Sequence, residues 1–178
     1  MADPALTHRL ARHADVAALT GLMERAIAEL QKPFLDAAQI AASRTLMGLD
    51  TQLIGDRTYF VVEQGRALAG CGGWSRRQTI YGGDRSPGRD AALLDPATAA
   101  ARVRAMYTHP AFVRRGVGRL ILTLCEDAAR AEGFARAELV ATLAGEPLYA
   151  ACGYRPLERF TDDRGGVAVP LVRMTKGL

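Results

Sequence analysis

Apolar residues recur every three to four positions from Val16 to Leu30. Val16, Leu19, Leu22, Met23, Ala26, Ile27 and Leu30 fall on one helical face, with Asp15 as the expected N-cap. A second helix is expected from about Asp36 to Met47, after the break at Pro33 and before Gly48. The period then changes. "TYFVVEQ" and "ALAGCGGWS", separated by "GR", read as an antiparallel hairpin over about 58–77. In "ARVRAMYTH" (101–109) Val103, Ala105 and Tyr107 alternate with Arg102, Arg104 and Met106, the pattern of a strand with two distinct faces. From Val117 the helical period returns through Leu120, Ile121, Leu124, Cys125 and Ala128, and Gly133 is the expected stop. "ARAELVAT" (135–142) follows as a strand, so this part forms a strand–helix–strand unit with a parallel, right-handed crossover. A short helix "GEPLYAACG", a strand near "YRPLERF" and a last strand "GVAVPLVRMT" complete the chain.

The helix that begins near Gly116 has an unusual start. Arg114, Arg115 and Arg119 crowd a terminus where acids are preferred, and no Ser, Thr, Asp or Asn stands ready to cap it. Its free backbone N–H groups follow directly on the C-terminal end of a strand, which makes a ready anion site. Gly116 and Gly118 clear side chains from the approach, and the arginines add charge for phosphate oxygens. No Lys-Ser/Thr follows the glycine, and Ile121 stands where a dinucleotide-binding GxGxxG would need its third glycine, so neither of those phosphate motifs is present.

"RAMYTHPAFVRRGVGRLIL" resembles the acetyl-CoA-binding signature of the GCN5-related N-acetyltransferase (GNAT) superfamily, in which a strand and turn lead into Q/R-x-x-G-x-G/A opening a helix. "LYAACGY" resembles that family's second signature, an apolar-Tyr-x-x-x-Gly-aromatic helix end. The order of elements matches over nearly the whole chain. The resemblance implies one N-acetyltransferase domain over 1–178. Its fold is α/β, with a mostly antiparallel central sheet containing one parallel strand–helix–strand unit and flanked by helices.

It also implies that backbone amides from Val113 through Arg114, Arg115, Gly116, Val117 and Gly118 to Arg119 hold the pyrophosphate of CoA. Met106, Tyr107 and Thr108 would pair with the pantetheine arm. Val113 stands where the family usually has Gln or Arg, which removes a side chain for phosphate and leaves the amide cradle. Thr142 stands where many members have Asn after the fifth strand. Tyr149 matches the position that often protonates the departing CoA sulfur, and Tyr154 the aromatic position that packs. The implied reaction is direct attack by a primary amine of a small molecule or peptide on acetyl-CoA, the co-substrate, in a ternary complex and without a metal. The acceptor pocket would lie among the first two helices and the 80–98 connection, a Gly/Pro/Asp-rich stretch of the length often functional or mobile in a compact domain. Glu63, Glu146, Glu158 and Asp84 are the carboxylates available as a base. Dimerisation is common in the family, and the final strand is the element expected to carry it.

Composition narrows the alternatives. The formal charge is +4 with a pI near 9.2, but basic residues are dispersed and only 6% of residues are aromatic, so nucleic-acid binding has no supporting motif. No basic-then-apolar leader or long apolar run suggests secretion or a membrane, and the expected location is the cytoplasm. Cys71, Cys125 and Cys152 form no metal or disulfide pattern, and His109 before Pro110 reads as a turn residue. A non-catalytic acyl-CoA sensor or scaffold is the competing reading.

Overall fold

The computed structural model describes residues 4–178. In chain order the elements are β1 (Leu6–Leu10), α1 (Val16–Leu30), α2 (Ala37–Leu46), α3 (Thr51–Gly55), β2 (Tyr59–Gln64), β3 (Ala67–Ser75), β4 (Ala101–Thr108), α4 (Val117–Ala131), β5 (Arg136–Thr142), α5 (Glu146–Ala151), β6 (Arg155–Asp162) and β7 (Val169–Gly177). The strands form one seven-stranded sheet in the order β1-β2-β3-β4-β5-β7-β6. Every neighbouring pair is antiparallel except β4 and β5. The expected α/β sheet with a parallel crossover through α4 is therefore present. The sequence pattern did not reveal β1 or α3. The final strand β7 is enclosed between β5 and β6, so the edge on that side belongs to β6.

Helix starts follow local chemistry. Asp36 caps α2 by accepting from the Gln39 N–H at 2.8 Å, and the Gln39 side chain accepts in turn from the Asp36 N–H. Asp15 takes the N-cap position of α1 without making a cap bond. Its carboxylate instead accepts from the Arg12 N–H at 2.8 Å and from the Arg9 guanidinium at 2.7 Å, tying β1 to the helix start.

Two apolar layers sandwich the sheet. On one face α4 brings Val117, Ile121, Leu122 and Cys125 against Val62, Ala69, Val103 and Leu139, with Trp74 edge-on to Phe134. On the other, Leu19, Met23 and Ile27 of α1 and Leu53 of α3 cover Tyr59, Val61, Cys71 and Tyr107. Glycines in β3 set how closely α4 approaches. A Cβ at Gly70 would stand 2.5 Å from a Val117 methyl, and one at Gly72 2.7 Å from both Ile121 and Met106.

β4 departs from its expected alternation. Tyr107 lies opposite Cys71 but Arg104 lies opposite Gly73, so Ala105 and Met106 share the single partner position at Gly72. Ala105 accommodates this bulge with φ +50°. The consequence is an exchange of faces: Val103 and Met106 pack on the α4 side, whereas Ala105 and Tyr107 pack on the α1 side. Arg102 and Arg104 are both held in ion pairs. Arg102 pairs with Glu138 at 2.8 Å, and Arg104, 3% exposed, reaches Asp50 at 2.6 Å.

The long connection between β3 and β4 is irregular but tied down. Arg77 pairs with Asp56, Arg89 bridges Asp50 and Asp84, and Ser86 donates to the Thr45 carbonyl. Near its start Tyr81 donates to Asp162 at 2.7 Å, while Arg164 pairs with the same carboxylate and lies over the Tyr81 ring. Arg164 is the largest cause that holds the Asp162 carboxyl down at about 2, against the ordinary 3.8. A depressed carboxyl stabilises the fold above its unfolded pKa, and the contribution disappears as pH falls from about 4 through 2. Asp162→Asn should therefore remove roughly 2 kcal/mol of stability at neutral pH and flatten the acid limb of a melting-temperature profile over that interval.

Candidate active site

The site begins where the sheet opens. β4 pairs with β5 only at Ala101–Ala137 and Arg102–Glu138, after which the strands part. The β5-facing edge of β4 from Val103 to Thr108 is left without a strand partner, and such an edge offers N–H and C=O groups to an extended ligand. The opening continues into a cleft of about 710 Å³ between α1, the start of α4 and the start of α5.

The far end of that cleft is the segment singled out by its arginines. His109 caps a 3-10 turn at Pro110–Phe112, its Nδ1 accepting from the Ala111 N–H at 3.1 Å, so its role is structural. Arg114 and Gly116 then take left-handed backbone, with φ +64° and +83°. A non-glycine residue pays about 1 kcal/mol for this conformation, and here the strain shapes a turn at a helix start. No side chain caps α4. Its first helical backbone bond runs from the Leu120 N–H to Gly116, which leaves the N–H groups of Val117, Gly118 and Arg119 without intrahelical acceptors. Alternating backbone handedness, free amides and the positive helix end together favour an anion.

Nearly all of the expected binding residues meet in this cleft. Met106, Tyr107, Thr108, Val113, Arg114, Gly116, Val117, Gly118, Arg119, Thr142 and Tyr149 line it. Arg115 does not, since its guanidinium lies over the Phe112 ring and reaches Gln64. The Thr142 hydroxyl accepts from the Gly145 N–H at 3.2 Å and so shapes the turn into α5.

A second, smaller cavity of about 110 Å³ lies beyond the opening, bounded by the end of α2 and by Ile80, Tyr81 and Gly82 of the long connection. Of the regions expected to receive an acceptor, the end of α2 and the start of the 80–98 connection line it, and α1 does not. The chemistry of its walls differs from expectation, because Arg76, Arg77 and Arg89 point to carboxylates elsewhere and only Arg104 among the charged residues lines it. Met106, Tyr107, Thr142, Gly145 and Tyr149 line both cavities, so the two meet at Tyr149.

Tyr149 packs edge-on against Tyr154, which is buried at 3% exposure. The Tyr149 hydroxyl has no hydrogen-bond partner among the described residues, and burial raises its pKa well above the usual tyrosine value. It is therefore a protonated donor throughout the physiological range. Tyr107 is engaged differently: its hydroxyl accepts from the Gly48 N–H at 2.8 Å and fixes the end of α2.

None of the four carboxylates considered as a base lines either cavity. Glu63 pairs with Arg9, Glu146 with Arg159, Asp84 holds Arg89 and the Thr51 N–H, and Glu158 stands on the exposed edge strand opposite Arg173. Two of the three cysteines, Cys71 and Cys125, are buried and poor nucleophiles here. Burial pushes the Cys71 thiol up to about 12 and raises Cys125 further, so neither supplies thiolate at neutral pH.

Comparison with known proteins agrees with this geometry. Residues 55–156 match the family model described as an acetyltransferase (GNAT) domain. No curated protein matches the sequence. Among solved structures, a GCN5-related N-acetyltransferase from Rhodopseudomonas palustris is 19% identical with a TM-score of 0.72, over 100% of this chain and 99% of that one. The PaiA N-acetyltransferase of Thermoplasma acidophilum, solved in complex with coenzyme A, is 11% identical with a TM-score of 0.65, covering 98% and 99%. The Salmonella typhimurium protein yncA, solved with its cofactor acetyl-CoA, is 20% identical with a TM-score of 0.63, covering 98% and 94%.

Proposed function

The chain belongs to the GNAT acetyltransferase family, and on that premise we propose that it moves an acetyl group from acetyl-CoA to a primary amine by direct attack within a ternary complex. We read residues 1–178 as one N-acetyltransferase domain working in the cytoplasm on a small-molecule or peptide acceptor. Among the described residues, no helix is long and apolar enough to cross a membrane.

The observation that carries this reading is the shared wall: two cavities approach the β4–β5 opening and meet at Tyr149. When bound, acetyl-CoA supplies an activated thioester. The free amides of Val117, Gly118 and Arg119 hold its pyrophosphate, and the arginines add charge. The unpaired edge of β4 around Met106–Thr108 takes the pantetheine arm and offers an N–H to the thioester oxygen as charge builds there. The amine approaches through the smaller cavity, and its nitrogen forms the new C–N bond as the C–S bond breaks. The Tyr149 O–H gives its proton to the departing sulfur. With the four carboxylates away from the cavities, the amine's own proton leaves through water, and water returns a proton to the Tyr149 oxygen, so the enzyme is restored and no net proton is released.

Ligand binding at this cleft is tested by melting. CoA at a hundred times its dissociation constant should add ~2.7 kcal/mol, a rise of roughly 5–10 °C for a domain of this size. Thermal denaturation with and without CoA or acetyl-CoA reads it directly. An unmoved midpoint with both compounds overturns the cleft's assignment to CoA. A rise without consumption of acetyl-CoA across a broad amine panel would favour a sensor over an enzyme.

A further inference from the structure

α5 carries Tyr149 but is held weakly by its own residues. It is six residues long, and none of them is fully buried. A helix this short is not stable alone. The Glu146–Arg159 pair at its start leaves Arg159 60% exposed, and an ion pair in that setting adds little. The firmer anchor is at the C-terminal end. Gly153 takes left-handed backbone, with φ +92°, and turns the chain so that the Tyr154 N–H donates to the Tyr149 carbonyl at 3.0 Å. The same turn sets the buried Tyr154 ring edge-on against Tyr149.

Tyr154 rests in turn on an ion pair that the reaction does not use. Glu126 of α4 is buried and accepts from Lys176 Nζ of β7 at 2.7 Å. That nitrogen stands 5.7 Å from the centre of the Tyr154 ring, and the lysine stem crosses Gly153, where a Cβ would stand 3.6 Å from Lys176 Cε. Burial first, and then the nearby Glu126 carboxylate, raise the Tyr154 pKa above the usual tyrosine value. Taking an ion pair out of water is costly, and an apolar pair of similar volume often serves stability as well. An apolar pair lacks direction. A carboxylate and an ammonium meet at a defined distance, and this contact decides where the Tyr154 ring can stand.

We propose that Glu126 and Lys176 are positioning residues for acetyl transfer: paired, they clamp Tyr154, and through it hold Tyr149 at the angle at which its hydroxyl meets the departing sulfur. This rests on the acid role given to Tyr149 above. Glu126 belongs to the helix whose first amides face the pyrophosphate, so the clamp keeps the proton donor in register with the bound thioester. Such register matters, because a misplacement of about 1 Å can cost on the order of a hundredfold in rate.

The test is a cycle of variants, with turnover followed as thiol release from acetyl-CoA and the best acceptor among butylamine, phenethylamine, spermidine and alanine amide. The double variant Glu126→Leu with Lys176→Met removes the pair without stranding either charge. It should lower kcat about tenfold, keep KM for acetyl-CoA within about twofold and preserve the CoA-induced rise in melting temperature. In a Tyr149→Phe background the same two substitutions should change kcat by less than about twofold, because the group they position is gone. Lys176→Arg keeps the pair and should retain at least about half the wild-type kcat. A purely structural pair would lower the melting temperature and leave kcat unchanged, or lower kcat equally in both backgrounds. Either result overturns the clamp and leaves the role of Tyr149 standing. Loss of the CoA-induced rise in the double variant overturns it too, since α4 itself would then have moved. If Tyr149→Phe alone keeps more than about half the rate, the acid role falls and the clamp falls with it. Should the double variant fail to fold, Glu126→Gln, which leaves the partly exposed Lys176 able to reach water, is read in the same cycle with the same signs.

Discussion

Tyr149→Phe should lower the rate of acetyl transfer at saturating substrates by about 10²- to 10⁴-fold, the range associated with a positioned general acid, while CoA still raises the melting temperature as in wild type. The substitution removes one oxygen and keeps the ring, so the edge-on contact with Tyr154 survives. No internal hydrogen bond is lost either, because the hydroxyl makes none among the described residues. Release of free thiol from acetyl-CoA gives the rate, and the thermal shift gives binding. A variant retaining more than about half the wild-type rate would mean that the leaving sulfur takes its proton from water and that Tyr149 only shapes the passage. The sign of the pH effect follows from burial. A tyrosine whose pKa is raised stays protonated above the ordinary 10, so wild-type kcat should show no alkaline fall assignable to this group below that value.

The largest effect on stability should come from Asp50→Ala, about 3–5 kcal/mol, or a drop in melting temperature on the order of 10 °C. Asp50 is fully buried and serves three partners. It pairs with Arg104 at 2.6 Å and with Arg89 at 2.6 Å, and it caps α3 by accepting from the Gln52 N–H at 3.0 Å. The Arg104 side chain is 1% exposed, so without Asp50 its charge stays in the interior with, among the described residues, the Gly82 carbonyl as its remaining hydrogen-bond partner. Contrast Arg130 and Asp127, an ion pair on α4 whose side chains are 50% and 64% exposed. Solvent screening limits that pair to about 0–1 kcal/mol, and Asp127→Ala serves as the control. Equal losses from both variants would show that burial does not decide the matter here.

How far the sequence could be read depended on the length of each pattern and on whether a residue type marks the geometry. α1, α2 and α4 carry apolar periods long enough to register, and their ends are punctuated by Asp36, Gly48 and Gly133. The uncapped, arginine-rich start of α4 was legible because the residues a helix normally wants there are missing, and Tyr149 because it sits in a short motif. β1 and α3, at five residues each, hold too few positions for any period to emerge, and β1 is an edge strand largely exposed on one side. The bulge in β4 could not be anticipated. It turns on Ala105, a residue with no turn signature, and only the pairing with Gly72 requires it. Glu126 and Asp50 were invisible for another reason. A single polar residue looks solvated until the fold brings Lys176 against one and Arg104 against the other.

The bulge at Ala105 also bears on how such a site can change over time. Point substitution alters one side chain at one place, whereas the extra residue opposite Gly72 decides which members of the strand belong to each side of the molecule. Flattening the bulge with the chain length kept would slide the register by one and turn Met106 and Tyr107 each to the face it now avoids, exchanging a thioether for a phenol at the meeting place of the two cavities. Side-chain variation can therefore accumulate gradually along α1 and α2, while the layout of β4 is inherited as a whole or rebuilt by a shift of register.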